Sequence, residues 1–211
     1  MVFKVSDEKI ICLFGGEDIE WVRKFTNTAR TVAKAANVPI EMLYVGKSNP
    51  MEKVRKNNSI IAGENLSHYL ADLTLIWFFW ARLEIMWHSK IQQGKSVEND
   101  TIMQEIITML SFDWSEQGWA VICKGSGESE MAKAKGDTIL KALSDYELWK
   151  ERVVEIGFVA ALIEYLNNLP TPHHYNHFIL PHAKGSLPEK VICAECGRLM
   201  ELFIMFRCCT D

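Results

Sequence analysis

The stretch from residue 9 to residue 45 constrains the fold most, because it sets a strand, a glycine turn, a helix and a second strand in immediate succession. Residues 9–14 form a short apolar run that stops at Gly15 and Gly16, and Glu17 and Asp18 then open a helical pattern reaching about Ala36. Ile19, Val22, Phe25, Ala29, Val32, Ala33 and Ala36 recur at spacings of three and four, so one stripe of that helix is made to face a sheet. Pro39 separates it from the run at residues 40–45, which Gly46 and Pro50 close. Two strands joined by a helix of this length make a βαβ unit, parallel with a right-handed crossover. The expected fold class is α/β, with helices on both faces of the sheet.

Further along, residues 67–93 read as one long helix. Leu70, Leu73, Trp77, Trp80, Leu83 and Trp87 line one side of it, while Ile76, Phe79 and Met86 crowd the other. A helix apolar on nearly every face is either sandwiched within the core or covered by a partner subunit, with the core expected to take the larger share. A helix is expected over residues 100–110 and a third strand over 119–123. The Gly125-Ser126-Gly127 turn is expected to lead into a helix over 128–142, and a further helix covers 145–168 until Pro170 and Pro172 stop it. Short apolar runs follow at 191–193 and 202–206. Residues 170–188 make the best boundary, giving a domain over 1–170 with a helical insertion and a His/Cys-rich C-terminal subdomain over 171–211.

Composition excludes several function classes. Of 211 residues, 48% are hydrophobic, with seven Trp and ten Phe, so a wholly disordered chain is ruled out. A net charge of −4, with 23 basic residues scattered along the chain, disfavours binding to nucleic acid or to an anionic membrane. The N-terminus mixes Lys4, Asp7, Glu8 and Lys9 into its apolar residues and lacks a signal-peptide core. The most apolar run, residues 73–81, falls well short of the roughly 20 residues that a spanning helix needs. A soluble intracellular protein with no membrane insertion is expected.

Local motifs for catalysis are missing where they are most expected. The strand-turn-helix opening resembles a thioredoxin-like fold, whose redox pair occupies the head of the first helix, where the helix N-terminus stabilises a thiolate. Here that turn is Gly15-Gly16-Glu17-Asp18. It holds no sulfur, and its two carboxylates oppose phosphate as well. The Gly125-Ser126-Gly127 turn is followed by Glu128, Ser129 and Glu130 rather than the Lys and Ser or Thr of a P-loop. No nucleophile elbow, zincin motif or EF-hand loop is present either.

Cysteines mark the other end. Cys12 and Cys123 lie in strand-like runs and read as small buried hydrophobes. Cys193-Ala194-Glu195-Cys196-Gly197 has the spacing of a knuckle that wraps two thiolates around a tetrahedral ion. The other ligands would come from Cys208 or Cys209, or from His173, His174 or His177, and the candidate zinc set is Cys193, Cys196, Cys208 and His177. Packed reduced thiols and disulfides within or between chains stand beside zinc as readings of the same residues. A thiol oxidoreductase using Cys193 and Cys196, and a zinc-stabilised protein-binding module, are the rival functions.

The ending from Cys193 through Gly197-Arg198-Leu199-Met200-Glu201 and Phe203-Ile204-Met205-Phe206-Arg207 to Cys208-Cys209 resembles the cysteine-rich terminal motif of sieve element occlusion proteins. The aromatic run at 73–84, Phe112-Asp113 and Gly118-Trp119-Ala120-Val121 also resemble segments of that family, so the similarity covers most of the chain. One departure is Leu199, where Pro is expected; it should relax the turn after the knuckle. The resemblance implies a thioredoxin-like region without the redox pair, followed by a C-terminal domain, in a longer protein whose N-terminal domain precedes this piece. It implies no enzyme. It implies a structural phloem protein of sieve-element cytoplasm that associates with itself and with related family members. Such proteins build filaments or calcium-responsive forisome bodies and occlude sieve tubes on wounding. Candidate assembly residues are Trp77, Trp80 and Trp87 on the aromatic helix and Cys193, Cys196, Cys208 and Cys209 at the end. Calcium is expected as an effector, with no residue assigned.

Overall fold

A computed structural model of the chain describes residues 9–48, 51–113, 115, 117–125, 131–169, 190–192 and 199–201. The βαβ unit opens it. Strand β1 (Ile10–Gly15) is followed by helix α1 (Ile19–Ala35) and strand β2 (Ile40–Tyr44), and β1 and β2 pair in parallel from Ile10↔Ile40 to Phe14↔Tyr44. Asp18 caps α1, its side chain accepting from the Glu20 amide at 2.9 Å. The helix buries Val22, Phe25, Ala29, Val32 and Ala33 of the expected stripe, together with Trp21 and Thr26, while Ile19 and Ala36 are only partly buried.

Helix α2 (Met51–Glu64) has no counterpart in the sequence reading. Its inward positions are Val54, Asn57, Asn58 and Ile61, all buried, so the helical period is present but two of its four members are amides. A two-residue strand, β3 (His68–Tyr69), follows and pairs with β2 in parallel. The long helix expected from residue 67 therefore starts later, as α3 (Leu73–Gln92), with Asp72 capping it through the Thr74 amide at 2.9 Å. Helix α4 (Thr101–Asp113) runs one turn past its expected end and packs on α3.

Strand β4 (Trp119–Lys124) returns antiparallel to β1, and β5 (Ala132–Lys135) pairs antiparallel with β4. A helix over 128–142 was expected here. Instead Ala-Lys-Ala-Lys forms the edge strand, burying Ala132 and Ala134, and helix α5 (Gly136–Ser144) begins only after it. The expected helix over 145–168 is two helices, α6 (Tyr146–Ile156) and α7 (Phe158–Asn168), divided by Gly157 at φ 87°. A left-handed glycine ends α6 and lets α7 fold back against it.

The sheet order is β3-β2-β1-β4-β5. One face carries Trp119, Lys133 and Lys135 toward α3 and α4. Trp119 stacks on Phe112 (centroids 5.2 Å) and meets Trp80 edge-on (5.8 Å), while Lys133 is bonded to Glu105. The opposite face carries Phe14 against Phe25 of α1, with α5 beside α1 and α7 beside α5. Strands β6 (Lys190–Ile192) and β7 (Leu199–Glu201) form a separate antiparallel pair, in register from Lys190↔Glu201 to Ile192↔Leu199. Met200 packs against a second cluster built by Trp87, Val97, Met103, Ile106, Ile107 and Leu110, so this ladder sits on the α3–α4 pair. The run at 202–206 and the boundary at 170–188 lie outside the described residues.

Helix α3 is the element whose faces matter most. Ile76, Trp80 and Trp87 are buried, yet Trp77 is 51% exposed against 1% for Trp80. Truncating each separates the two sides. Trp80→Ala is expected to destabilise the chain by about 3–5 kcal/mol, and Trp77→Ala by less than about 1 kcal/mol, in denaturant unfolding.

Candidate functional site

Parallel α/β units place chemistry at the carboxyl ends of their strands, where the loops after β1 and β2 meet. In this chain that region is filled by side chains from four elements. The Tyr44 hydroxyl donates to the Gly16 carbonyl at 2.8 Å. Asn57 of α2 donates to the Gly16 and Glu17 carbonyls at 3.2 and 3.1 Å and reaches the Tyr44 hydroxyl at 3.2 Å. Burial pushes the Tyr44 hydroxyl up to about 12, so it stays a neutral donor at physiological pH.

Charges close the rim. Glu17 accepts from Lys53 and, at 3.2 Å, from the buried Lys47. The Lys53 hydrogen bond holds its carboxyl below the usual range, with Lys47 adding to the effect and desolvation opposing it. On the neighbouring loop Asp113, at the end of α4, accepts from the Ser48 amide at 2.7 Å and from the Ser48 hydroxyl. Burial pushes the Asp113 carboxyl up, and the two Ser48 donors pull against it.

The backbone comes close to its neighbours at three glycines of this region. A methyl built on Gly118 would land inside the Trp21 indole, one on Gly15 would meet the Gly46 carbonyl and the Trp119 ring, and one on Gly46 would meet Val54. Trp21 donates its indole N–H to the Gly136 carbonyl at 3.2 Å, tying the head of α1 to the start of α5. This is a structural plug.

Sulfur near the turn is equally inert. Cys12 is fully buried in β1, and desolvation, with a smaller push from Cys123, raises its thiol far above the usual range. Cys12 pairs with Ile122 and Cys123 with Ile11, so the two thiols project from opposite faces of the sheet. A shallow hollow of 140 Å³ at the β2–β3 edge is lined by Arg30, Glu41, Asn65 and His68. Its polar groups already serve one another, His68 on Glu41 at 2.9 Å and Arg30 on the Asn65 carbonyl at 2.6 Å. Among the described residues no three His, Cys, Asp or Glu side chains gather as metal ligands, and no helix is long and apolar enough to cross a membrane.

Of the residues singled out from sequence, Trp80 and Trp87 are core, which corrects their assignment as assembly contacts: each is at most 2% exposed and their indoles have no surface to offer. Trp77 remains outside. Cys193, Cys196, Cys208, Cys209 and His177 lie outside the described residues, although β6 and β7 flank the segment that carries the first two. Sequence reasoning missed Tyr44, Lys47, Asn57 and Asp113. Nothing local marks them, since each is 28 or more positions from the turn residue or loop residue it contacts.

Residues 1–210 match the family described as Sieve element occlusion C-terminus. The chain belongs to that family. It is 40% identical over 219 residues to Protein SIEVE ELEMENT OCCLUSION A of Arabidopsis thaliana, across 99% of this chain and 26% of the relative. It is 39% identical over 215 residues to Protein SIEVE ELEMENT OCCLUSION B, across 98% of this chain and 28% of the relative. Protein SIEVE ELEMENT OCCLUSION C is more distant, at 24% over 200 residues. The chain thus spans about a quarter of the length of these curated relatives. No solved structure matches it. In this sieve element occlusion C-terminal chain, Tyr44 and Asn57 converge on the Gly16 carbonyl at the carboxyl ends of β1 and β2.

The Glu17 ion pairs give a pH signature. A carboxyl held low in the folded chain stabilises it above the unfolded value, and that stability is lost as pH falls through the folded value. Glu17→Gln is therefore expected to lower unfolding free energy by about 1–3 kcal/mol at pH 7. The gap to wild type should shrink as the pH is taken below about 4 in parallel chemical denaturations.

Proposed function

We propose that this chain is the C-terminal part of a structural phloem protein of sieve-element cytoplasm, which assembles with itself and with related family members and occludes sieve tubes on wounding. The observation that carries the reading is 40% identity, across nearly the whole chain, to a protein named for sieve element occlusion. The fold it serves is read as thioredoxin-like without the redox pair. Strand order supports this: β1 lies between a parallel neighbour, β2, and an antiparallel one, β4, with α1 and α5 on one face. The plugged turn then makes the domain a scaffold whose work is done by its surfaces.

The purified 211-residue chain is expected to show light scattering that grows with concentration, and to reduce insulin no faster than a buffer control. Disulfide turnover well above that control, abolished by Cys193→Ser, would replace the scaffold with an oxidoreductase.

Zinc is part of the proposal. The β6–β7 pairing brings together the two ends of the segment bearing Cys193 and Cys196, which is what a knuckle requires, and Cys208 and His177 complete the proposed set. Elemental analysis of the purified chain should find about one zinc per molecule, reduced in Cys196→Ser. A wild-type chain free of metal sinks this element. Calcium enters as an effector through carboxylates gathered on assembly, with no residue assigned.

A further inference from the structure

Helix α3 carries an outward apolar stripe as well as its buried one. Its buried residues, Ile76, Trp80 and Trp87, share one azimuth, and at about 100° per residue Leu75, Phe78, Arg82, Ile85 and Met86 cluster on the order of 150° away from it. The outer stripe runs for three turns. Ile85 is 65% exposed, and the others are exposed too. In the middle of the stripe sits Arg82, which makes no ion pair among the described residues. A lone guanidinium inside an apolar stripe selects a partner that presents apolar side chains around a carboxylate.

The chain has such a face. Helix α6 packs inward through Tyr146 and Trp149, whose indole N–H donates to the Ala142 carbonyl at 2.8 Å. Its outward side centres on Glu151, flanked by Leu148, 74% exposed, and Val154, 89% exposed. Glu147 and Glu155 border it, already engaged by Lys150 and Arg152. The two helices lie on opposite sides of the sheet, α3 with α4 and α6 with α7.

We propose that the outer stripe of α3 docks onto the outer face of α6 in a second copy of this chain, with Arg82 set against Glu151. This rests on the assembly reading above and names its surfaces. Such a contact is heterologous: each copy keeps one unused α3 stripe and one unused α6 face, so it extends into a line unless the rotation closes a ring. Half-exposed large side chains of this number, on two faces, bury roughly 1,000 Å², at the floor for a specific interface. Association is accordingly reversible and concentration-dependent. An α3-to-α3 pair fits less well, because an antiparallel mate centred on the stripe brings two Arg82 side chains together.

Charge exchange tests it. Sedimentation velocity of the 211-residue chain is expected to show concentration-dependent association in wild type, weakened about tenfold or more in Arg82→Glu and in Glu151→Arg, since each sets like charges face to face. Both positions are exposed, so the thermal unfolding of each variant should match wild type. The double variant Arg82→Glu, Glu151→Arg restores the opposite pair and is expected to recover association. Single variants that associate as wild type overturn this contact while leaving the assembly reading in place. Weakening by Arg82→Glu without recovery in the double variant assigns α3 to some other surface and overturns it equally. A wild-type chain monomeric at every concentration removes the assembly reading itself.

Discussion

The bare backbone of Gly118 beneath the Trp21 indole is the contact on which the rest of the molecule turns. With no side chain at that glycine, the indole lies directly on the start of β4, and its N–H reaches on to the Gly136 carbonyl. Three elements far apart in the chain, the head of α1, the start of β4 and the start of α5, are thereby fixed to one ring. Beneath the same region Trp119 does the corresponding work on the other face of the sheet, stacked on Phe112 and flanked by Trp80. Aromatic rings seated on glycines give large apolar burial with little rotamer freedom to lose. They also fill the space directly against Gly15 and Gly118.

The loops after β1 and β2 are held by buried hydrogen bonds from Tyr44 and Asn57 and by ion pairs on Glu17, while the buried Trp119 indole N–H beside Gly15 has no hydrogen-bond partner among the described residues. Sieve element occlusion proteins are named for a mechanical outcome, and the scaffold reading proposed above puts this domain's part in it on its surface.

The sequence carried some of this openly and concealed the rest for physical reasons. The βαβ opening is legible because Val22, Phe25, Ala29 and Val32 repeat the helical period without interruption. Helix α2 is invisible because its inward face spends Asn57 and Asn58 on hydrogen bonds, so hydrophobicity does not report its burial. Strand β5 hides behind alanine and lysine, residues that favour helices, and it is a strand only because β4 offers it an edge. At α3 the helix itself is plain, but aromatic side chains on every azimuth leave its inward side undecided until Trp119 claims Trp80. The sulfur-free turn was readable in four letters; the groups that plug it come from distant segments that only folding brings near.

The edges of the sheet set a limit on how copies of this chain can add to one another. On one margin β3 offers only two residues of backbone, and on the other β5 lies against α7. Margins of two and four residues offer an incoming strand few amides and carbonyls to pair with in this sheet. The assembly proposed above accordingly draws on side-chain contacts rather than on extension of this five-stranded sheet, a mode of cohesion that dilution can undo without unfolding the subunits.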